Sequence, residues 1–238
     1  LFIPLNCFSS GSLNFDNTND RVAFGAAPSA LNITGANITV SAWVKMSSVS
    51  DSNTIIRKNV VHYSLSHQPA TSRFRFEISR NTTCTAISNA ASATVPVAGR
   101  WYHVAGTYDG ANVRVYTDGV LDGTTAATGN LANSVCGITG QTTDFNIGNY
   151  FRNNADAEIF HGVIAYARVY NKTLSAPEII ESMNCVDAPH QGLVGYWTLQ
   201  NAHSQYDLSG RNNKGANTGA PAFSQDGPPI SVCYGGGM

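Results

Sequence analysis

The chain has 238 residues, of which 14 are Lys or Arg and 15 are Asp or Glu, giving a formal net charge of −1 and a charged fraction of 12%. With no basic surplus to neutralise phosphates, nucleic acid and anionic membrane surfaces are excluded as partners. The apolar run from Val163 to Val169 is broken by Tyr166 and Arg168 and falls far short of the ~20 residues a bilayer-spanning helix needs.

Abundant Ser, Thr, Asn and Gly with few charges predict an exported β-protein. The chain opens Leu1-Phe2-Ile3-Pro4 without Met, which predicts a leader already removed and an extracellular or cell-surface location. Cys7, Cys84, Cys136, Cys185 and Cys233 show no C-x-x-C spacing, so disulfides in an oxidising compartment are expected before metal or haem. Five is odd, which leaves one thiol free or paired with another chain.

In chain order, strands are predicted over Ser12–Asp16, Ile38–Lys45, Arg73–Ser79, Trp101–Asp109, Val113–Thr117 and Phe160–Val169. In Arg73-Phe74-Arg75-Phe76-Glu77-Ile78 every second residue is apolar, the pattern of an antiparallel strand with one face in a core. Asp109-Gly110 and Asp118-Gly119 separate apolar runs and predict tight hairpins. Ser175-Ala176-Pro177-Glu178 is a capping box with Pro in the first turn, so a helix follows, with Ile179, Ile180 and Met183 expected on its buried face. Leu193 to Leu199 predicts one more strand. It heads a polar tail that contains Asp207-Leu208-Ser209-Gly210 and cannot build a core alone. Trp43, Trp101 and Trp197 are expected in the core by their strand patterning.

Three segments resemble the LamG-like, concanavalin A-type sandwich family in its bacterial and viral extracellular branch. They are Ser12 to Asp16 with Asn19 to Val22, Ile38 to Lys45, and Trp101 to Gly110 with Val115 to Gly119. Phe145 to Gly148 and Phe160 through Ser175 extend the likeness. The resemblance implies an all-β, antiparallel two-sheet jelly-roll sandwich with one short helix over 12–184, preceded by an extension at 1–11. The tail at 185–238 then packs on its own or on a neighbouring sandwich, and Gly192 to Trp197 resembles a segment that usually precedes such a domain.

The resemblance also implies a calcium loop at Asp16, Asn19 and Asp20, whose hard oxygen donors suit that ion. Family members commonly carry an acidic pair where this chain has Ala165 and Tyr166, and the other reading of the loop is an Asx turn capping a strand end. No cofactor is otherwise required. Glycosidase chemistry needs closely spaced carboxylates on one strand, and the nearest approach, Asp156 and Glu158, reads as a solvated loop, so no enzyme is predicted. The six histidines are scattered without metal spacing, and His103 reads as a packed strand residue. Tyr150, Phe151, Arg152, Asn153 and Asn154 put aromatics beside amides in one loop, the composition of a glycan contact. Asn32, Asn37, Asn81 and Asn171 head glycosylation sequons.

Cys84 and Cys136 flank the Trp101 meander and are expected to bond, although either sulfur alternatively stays a buried thiol. Cys7, Cys185 and Cys233 then share one bond and one spare. Two functions follow. The first is a non-catalytic structural subunit assembling head to tail with copies of itself into a surface filament. Leu1, Phe2, Ile3 and Leu5, or Val194, Tyr196 and Leu199 of the tail, would pack on a neighbour. The alternative is a glycan-binding, adhesive module, with or without calcium.

Overall fold

The computed structural model describes residues 11–26, 28–59, 61–132, 144–152, 155–184 and 191–230. Among these the order runs β1 (Ser12–Asp16), β2 (Arg21–Ala26), β3 (Ile38–Met46), β4 (Asn53–Lys58), β5 (Tyr63–Gln68), β6 (Arg73–Ser79) and β7 (Ile87–Ala91). It continues through β8 (Trp101–Tyr108), β9 (Asn112–Thr117), β10 (Val120–Ala126), β11 (Asp144–Ile147), β12 (Tyr150–Arg152), β13 (Ala155–Ala157) and β14 (His161–Tyr170). Helix α1 (Ala176–Asn184) follows, and the tail adds β15 (Leu193–Trp197), β16 (Ser204–Gln205), β17 (Gly215–Thr218) and β18 (Ala222–Ser224).

Two antiparallel sheets result. Sheet 1 has the order β10-β9-β8-β3-β14-β1-β18, with β15 also on β14, and sheet 2 the order β16-β17-β2-β11-β4-β5-β6-β7. Alternation sends Val40, Ala42 and Val44 of β3, Tyr102 and Val104 of β8, and Phe74, Phe76 and Ile78 of β6 into one core between the sheets. Each such large apolar side chain contributes about 2 kcal/mol by leaving water. Gly106 also faces inward: a Cβ there would lie 2.1 Å from Phe76, so the glycine makes room for that ring. Asp118 and Gly119 take φ of 51° and 80°, the paired positive values of a two-residue hairpin between β9 and β10.

The capping box closes as read: Glu178 accepts the Ser175 backbone N–H and hydroxyl, each at 2.8 Å. Lys172 first, then Ser175, holds the Glu178 carboxyl down at about 2. The apolar face differs from expectation, because the buried positions of α1 are Ile179 and Ser182 while Ile180 is 45% exposed. One residue step is 100° of helix rotation, so Ile179 and Ile180 cannot both point at the sheet. Helix α1 lies on the outer face of sheet 1, where Ile179 packs with Ala105, Tyr116 and Tyr170.

The tail packs on its own sandwich, the first of the two arrangements expected of it. Strand β15 pairs with β14 of the same chain in the register Ala167↔Trp197, β17 pairs with β2, and β18 pairs with β1. Val194, Tyr196 and Leu199 are 3%, 5% and 0% exposed against their own sandwich. Trp197 packs edge-on against Phe24 at 4.8 Å and tilted against Phe145 at 5.3 Å, and its indole N–H donates to the Asn213 carbonyl at 2.8 Å. Asp207 explains the Asp-Leu-Ser-Gly segment. Its carboxylate accepts the backbone N–H groups of Tyr196, Ser209 and Asn213, each at 2.9 Å, and winds the polar chain into a fixed turn. Leu1, Phe2, Ile3 and Leu5 lie outside the described residues.

Candidate functional site

The expected aromatic loop is the hairpin β12–β13, and arginines cover its rings. The Arg57 guanidinium lies 3.7 Å from the Tyr150 ring centroid and that of Arg21 lies 4.2 Å from Phe151. Arg57 also pairs with Glu158 at 3.0 Å, and Arg21 pairs with Asp156, which further accepts the Asn149 amide at 2.8 Å. Asp156 and Glu158 therefore act as anchors for two guanidinium groups. Tyr150 is only 5% exposed, which removes it as an open stacking platform, while Phe151 stays half-buried at the surface. Asn153, Asn154 and the Arg152 side chain lie outside the described residues.

In the β1–β2 loop Asp20 is buried. One of its oxygens accepts the Asp16 N–H at 3.0 Å, and the other accepts the Ala220 N–H from the tail at 2.8 Å. Asp16 in turn accepts the Thr18 N–H at 2.9 Å. Burial first, with the neighbouring Asp16 charge adding to it, pushes the Asp20 carboxyl up. Among the described residues no three His, Cys, Asp or Glu gather at metal-ligand spacing. Calcium takes six to eight oxygens. Both Asp20 oxygens serve backbone donors, so the carboxylate clasps the loop and ties it to the tail. A bound ion at a hundredfold excess over its Kd would add about 2.7 kcal/mol. We expect the melting temperature to move by less than about 1 °C on chelator treatment, and a fall of several degrees would show that the loop holds an ion.

Cys84 is disulfide-bonded, and the other four cysteines lie outside the described residues. Of the sequon asparagines, Asn37 and Asn171 are exposed and Asn32 is half-buried. Asn81 spends its side-chain oxygen on the Thr85 and Ala86 N–H groups and its amide nitrogen on the Thr85 hydroxyl.

A cleft that the sequence reading passed over lies on the outer face of sheet 1. The inward residues of β3 and β8 are Val44, Tyr102 and Val104, so Trp43, Lys45, Trp101 and His103 point the other way. In the ladder Trp43 stands opposite His103 and Lys45 opposite Trp101. The end of α1 comes down beside them because Trp43 donates its indole N–H to the Met183 carbonyl at 3.1 Å and Arg168 donates to Ser182 at 2.5 Å. Trp101 donates to Asp226 at 3.0 Å, and Lys45 pairs with the same carboxylate. The result is a cleft of about 400 Å³ lined by Trp43, Trp101, Arg100, Asp118 and Met183. Arg100 and Asp118 pair at 2.9 Å across an exposed edge, and Asp118 also accepts the His103 backbone N–H at 2.9 Å. Both indole N–H groups are spent on fixing the rings, and Trp101 stays half-buried at the wall. The signal was present in the sequence: Trp43 shares its strand parity with Ser41 and Lys45, not with Val40, Ala42 and Val44.

The chain belongs to the concanavalin A-like lectin/glucanase superfamily, whose family model matches residues 16–180. No curated protein matches the chain in sequence. Among solved structures it is similar to a Bacteroides ovatus candidate carbohydrate-binding protein, with 20% identity, a TM-score of 0.72, and coverage of 93% of this chain and 61% of that one. The chain thus spans about three fifths of that relative's length. It is also similar to the carbohydrate-binding module of a Ruminococcus gnavus sialidase, solved with α2,3-sialyllactose (16% identity, TM-score 0.54, 71% of this chain and 96% of that one). A heptameric pentraxin from Limulus polyphemus shares 14% identity with a TM-score of 0.53, covering 74% of this chain and 82% of that one. At these identities the likeness is one of fold.

Proposed function

We propose that this chain is a non-catalytic carbohydrate-binding module of an exported or cell-surface protein, with the sugar held in the cleft against the half-buried Trp101. The cleft carries the proposal: an indole beside a planar guanidinium–carboxylate pair matches a sugar, whose C–H face stacks on an aromatic and whose hydroxyls pair with charged groups. Arg100 is balanced there by Asp118, and the adjacent Lys45 by Asp226, so the cleft suits a neutral saccharide. Two of the similar structures are named for carbohydrate binding, which supports the reading without fixing the ligand. The Cys84 disulfide supports an oxidising compartment. In this reading Cys84 pairs with Cys136. Phe151 would serve as a further contact on the separate β12–β13 hairpin.

The test is a neutral-glycan array followed by titration of tryptophan fluorescence. Trp101→Ala should weaken the best ligand at least tenfold while the melting temperature moves by no more than a few degrees, and Trp101→Phe should recover part of the affinity. No binding across the array, or an unchanged affinity in Trp101→Ala, would sink the proposal.

A further inference from the structure

A second cleft of about 320 Å³ lies away from the tryptophans, where the short 3-10 turn Ser29–Leu31, the end of β14 and the tail meet. Its lining includes Ser29, Asn32, Thr34, Asn171, Val194 and Arg211, and no carboxylate. The walls are fixed from inside. Buried Tyr63 donates to the Leu31 carbonyl at 3.0 Å and the His62 ring lies 2.7 Å from the Ile33 carbonyl, so the loop carrying Asn32 and Thr34 is anchored to β5 and the turn before it. Asp207 clamps the turn around Arg211 by accepting the N–H groups of both Ser209 and Asn213, and Asn213 donates in turn to the Val194 carbonyl at 2.7 Å.

Two groups in this rigid frame lack partners. Arg211 makes no ion pair among the described residues, although most other arginines of the chain are paired with carboxylates or tied to carbonyls. The side-chain oxygen of Asn32 is buried and accepts no hydrogen bond. A buried acceptor left unmade costs about 1–3 kcal/mol, which a turn of the Asn32 amide toward a ligand hydroxyl in the cleft would recover. An unopposed guanidinium favours an anion, and it binds a planar carboxylate through two parallel hydrogen bonds.

The geometry points to a second ligand site here, for a saccharide unit that carries both a carboxylate and hydroxyl donors, a uronic acid residue of an acidic glycan. Arg211 takes the carboxylate, Ser29, Thr34 and Asn171 meet the hydroxyls, and Asn32 accepts a hydroxyl hydrogen bond once its amide turns toward the cleft. The walls are preorganised, so little ordering entropy opposes binding. The site is independent of the tryptophan cleft, and one can fail without the other.

The experiment titrates the full chain, made in a host without N-glycosylation so that Asn32 and Asn171 stay bare, with D-glucuronate, D-glucose, acetate and sulfate. Binding is followed by backbone amide chemical shifts. Glucuronate should move the resonances of 29–34 and 209–213, and bind at least tenfold more tightly than glucose, acetate or sulfate. Arg211→Gln, an exposed change that the fold tolerates, should erase that preference, and raised salt should weaken binding. Trp101→Ala should leave it intact. Equal binding of acetate and glucuronate would reduce the site to a charge patch and overturn the proposal. Equal binding of glucose, shifts elsewhere on the surface, or an unaltered Arg211→Gln affinity would overturn it as well.

Discussion

Lowering the pH from 7 to 4 is expected to cost the fold about 3 kcal/mol through His103 alone, at 1.36 kcal/mol per unit of pH below the ordinary histidine value. His103 is fully buried under the outer face of sheet 1, with its ring 5.5 Å from that of Trp43, and neither ring nitrogen has a hydrogen-bond partner. Burial first, then the nearby Arg168 charge, pushes its pKa down from 6.5 to about 3. The sign follows from proton counting. Between pH 6.5 and 3 the unfolded chain holds a proton on this ring that the folded chain refuses, so stability is complete above 6.5 and drains away as the pH falls. His67, also pushed down by burial, adds in the same direction, so the diagnostic quantity is a difference between proteins. Urea unfolding of the wild type and His103→Phe from pH 7 to pH 4 should show the variant at least as stable at pH 7, since it removes two unmade polar atoms, with a visibly shallower pH slope. Identical slopes would mean that the ring is solvated or paired in solution.

His103 also shows where sequence reading stops. Period-two alternation told which residues of β3 and β8 share a face, and it placed Arg73–Ser79, the Asp-Gly hairpins and the capping box of α1 where they stand. It says nothing about whether the other face is covered. Strand β3 is buried on both faces, because α1 lies over Ala105 and Tyr116 and the tail runs past Trp101 to Ile230. That cover makes the half-buried Trp101 the wall of a cleft, keeps Trp43 in the core as its strand patterning predicts, and buries His103 without a partner. Asp156 and Glu158 were legible as a carboxylate pair. Their partners Arg21 and Arg57 come from strands more than a hundred residues earlier, so only the assembled sheet reveals that the pair is an anchor. The tail was legible as a strand followed by polar chain. What escaped was Asp207, one carboxylate that gathers donors from Tyr196 to Asn213 and so gives that polar chain a structure without a core of its own.

A chain ending at Gln191 is expected not to fold, and Trp197→Ala alone should cost about 4 kcal/mol, the scale of a large aromatic removed from a packed core. Trp197 is fully buried between Phe24 and Phe145, and with Val194 and Leu199 it fills the space between the sheets at the β2 and β11 end. Deleting the tail removes all three side chains, takes β15 from β14, β17 from β2 and β18 from β1, and exposes the backbone donors and acceptors of those edges. The whole fold of such a domain rests on roughly 5–15 kcal/mol, less than the sum of these losses. Circular dichroism and urea unfolding should show Trp197→Phe losing part of the stability, Trp197→Ala losing most of it, and the truncated chain giving no cooperative transition. Aggregation of the truncated chain would then report exposed core and unpaired edges, not filament assembly. If instead the truncated chain melts sharply within a few degrees of the full one, the tail is an appendage whose strands are available to another copy, and the head-to-tail polymer regains the free strand that the intramolecular pairing denies it.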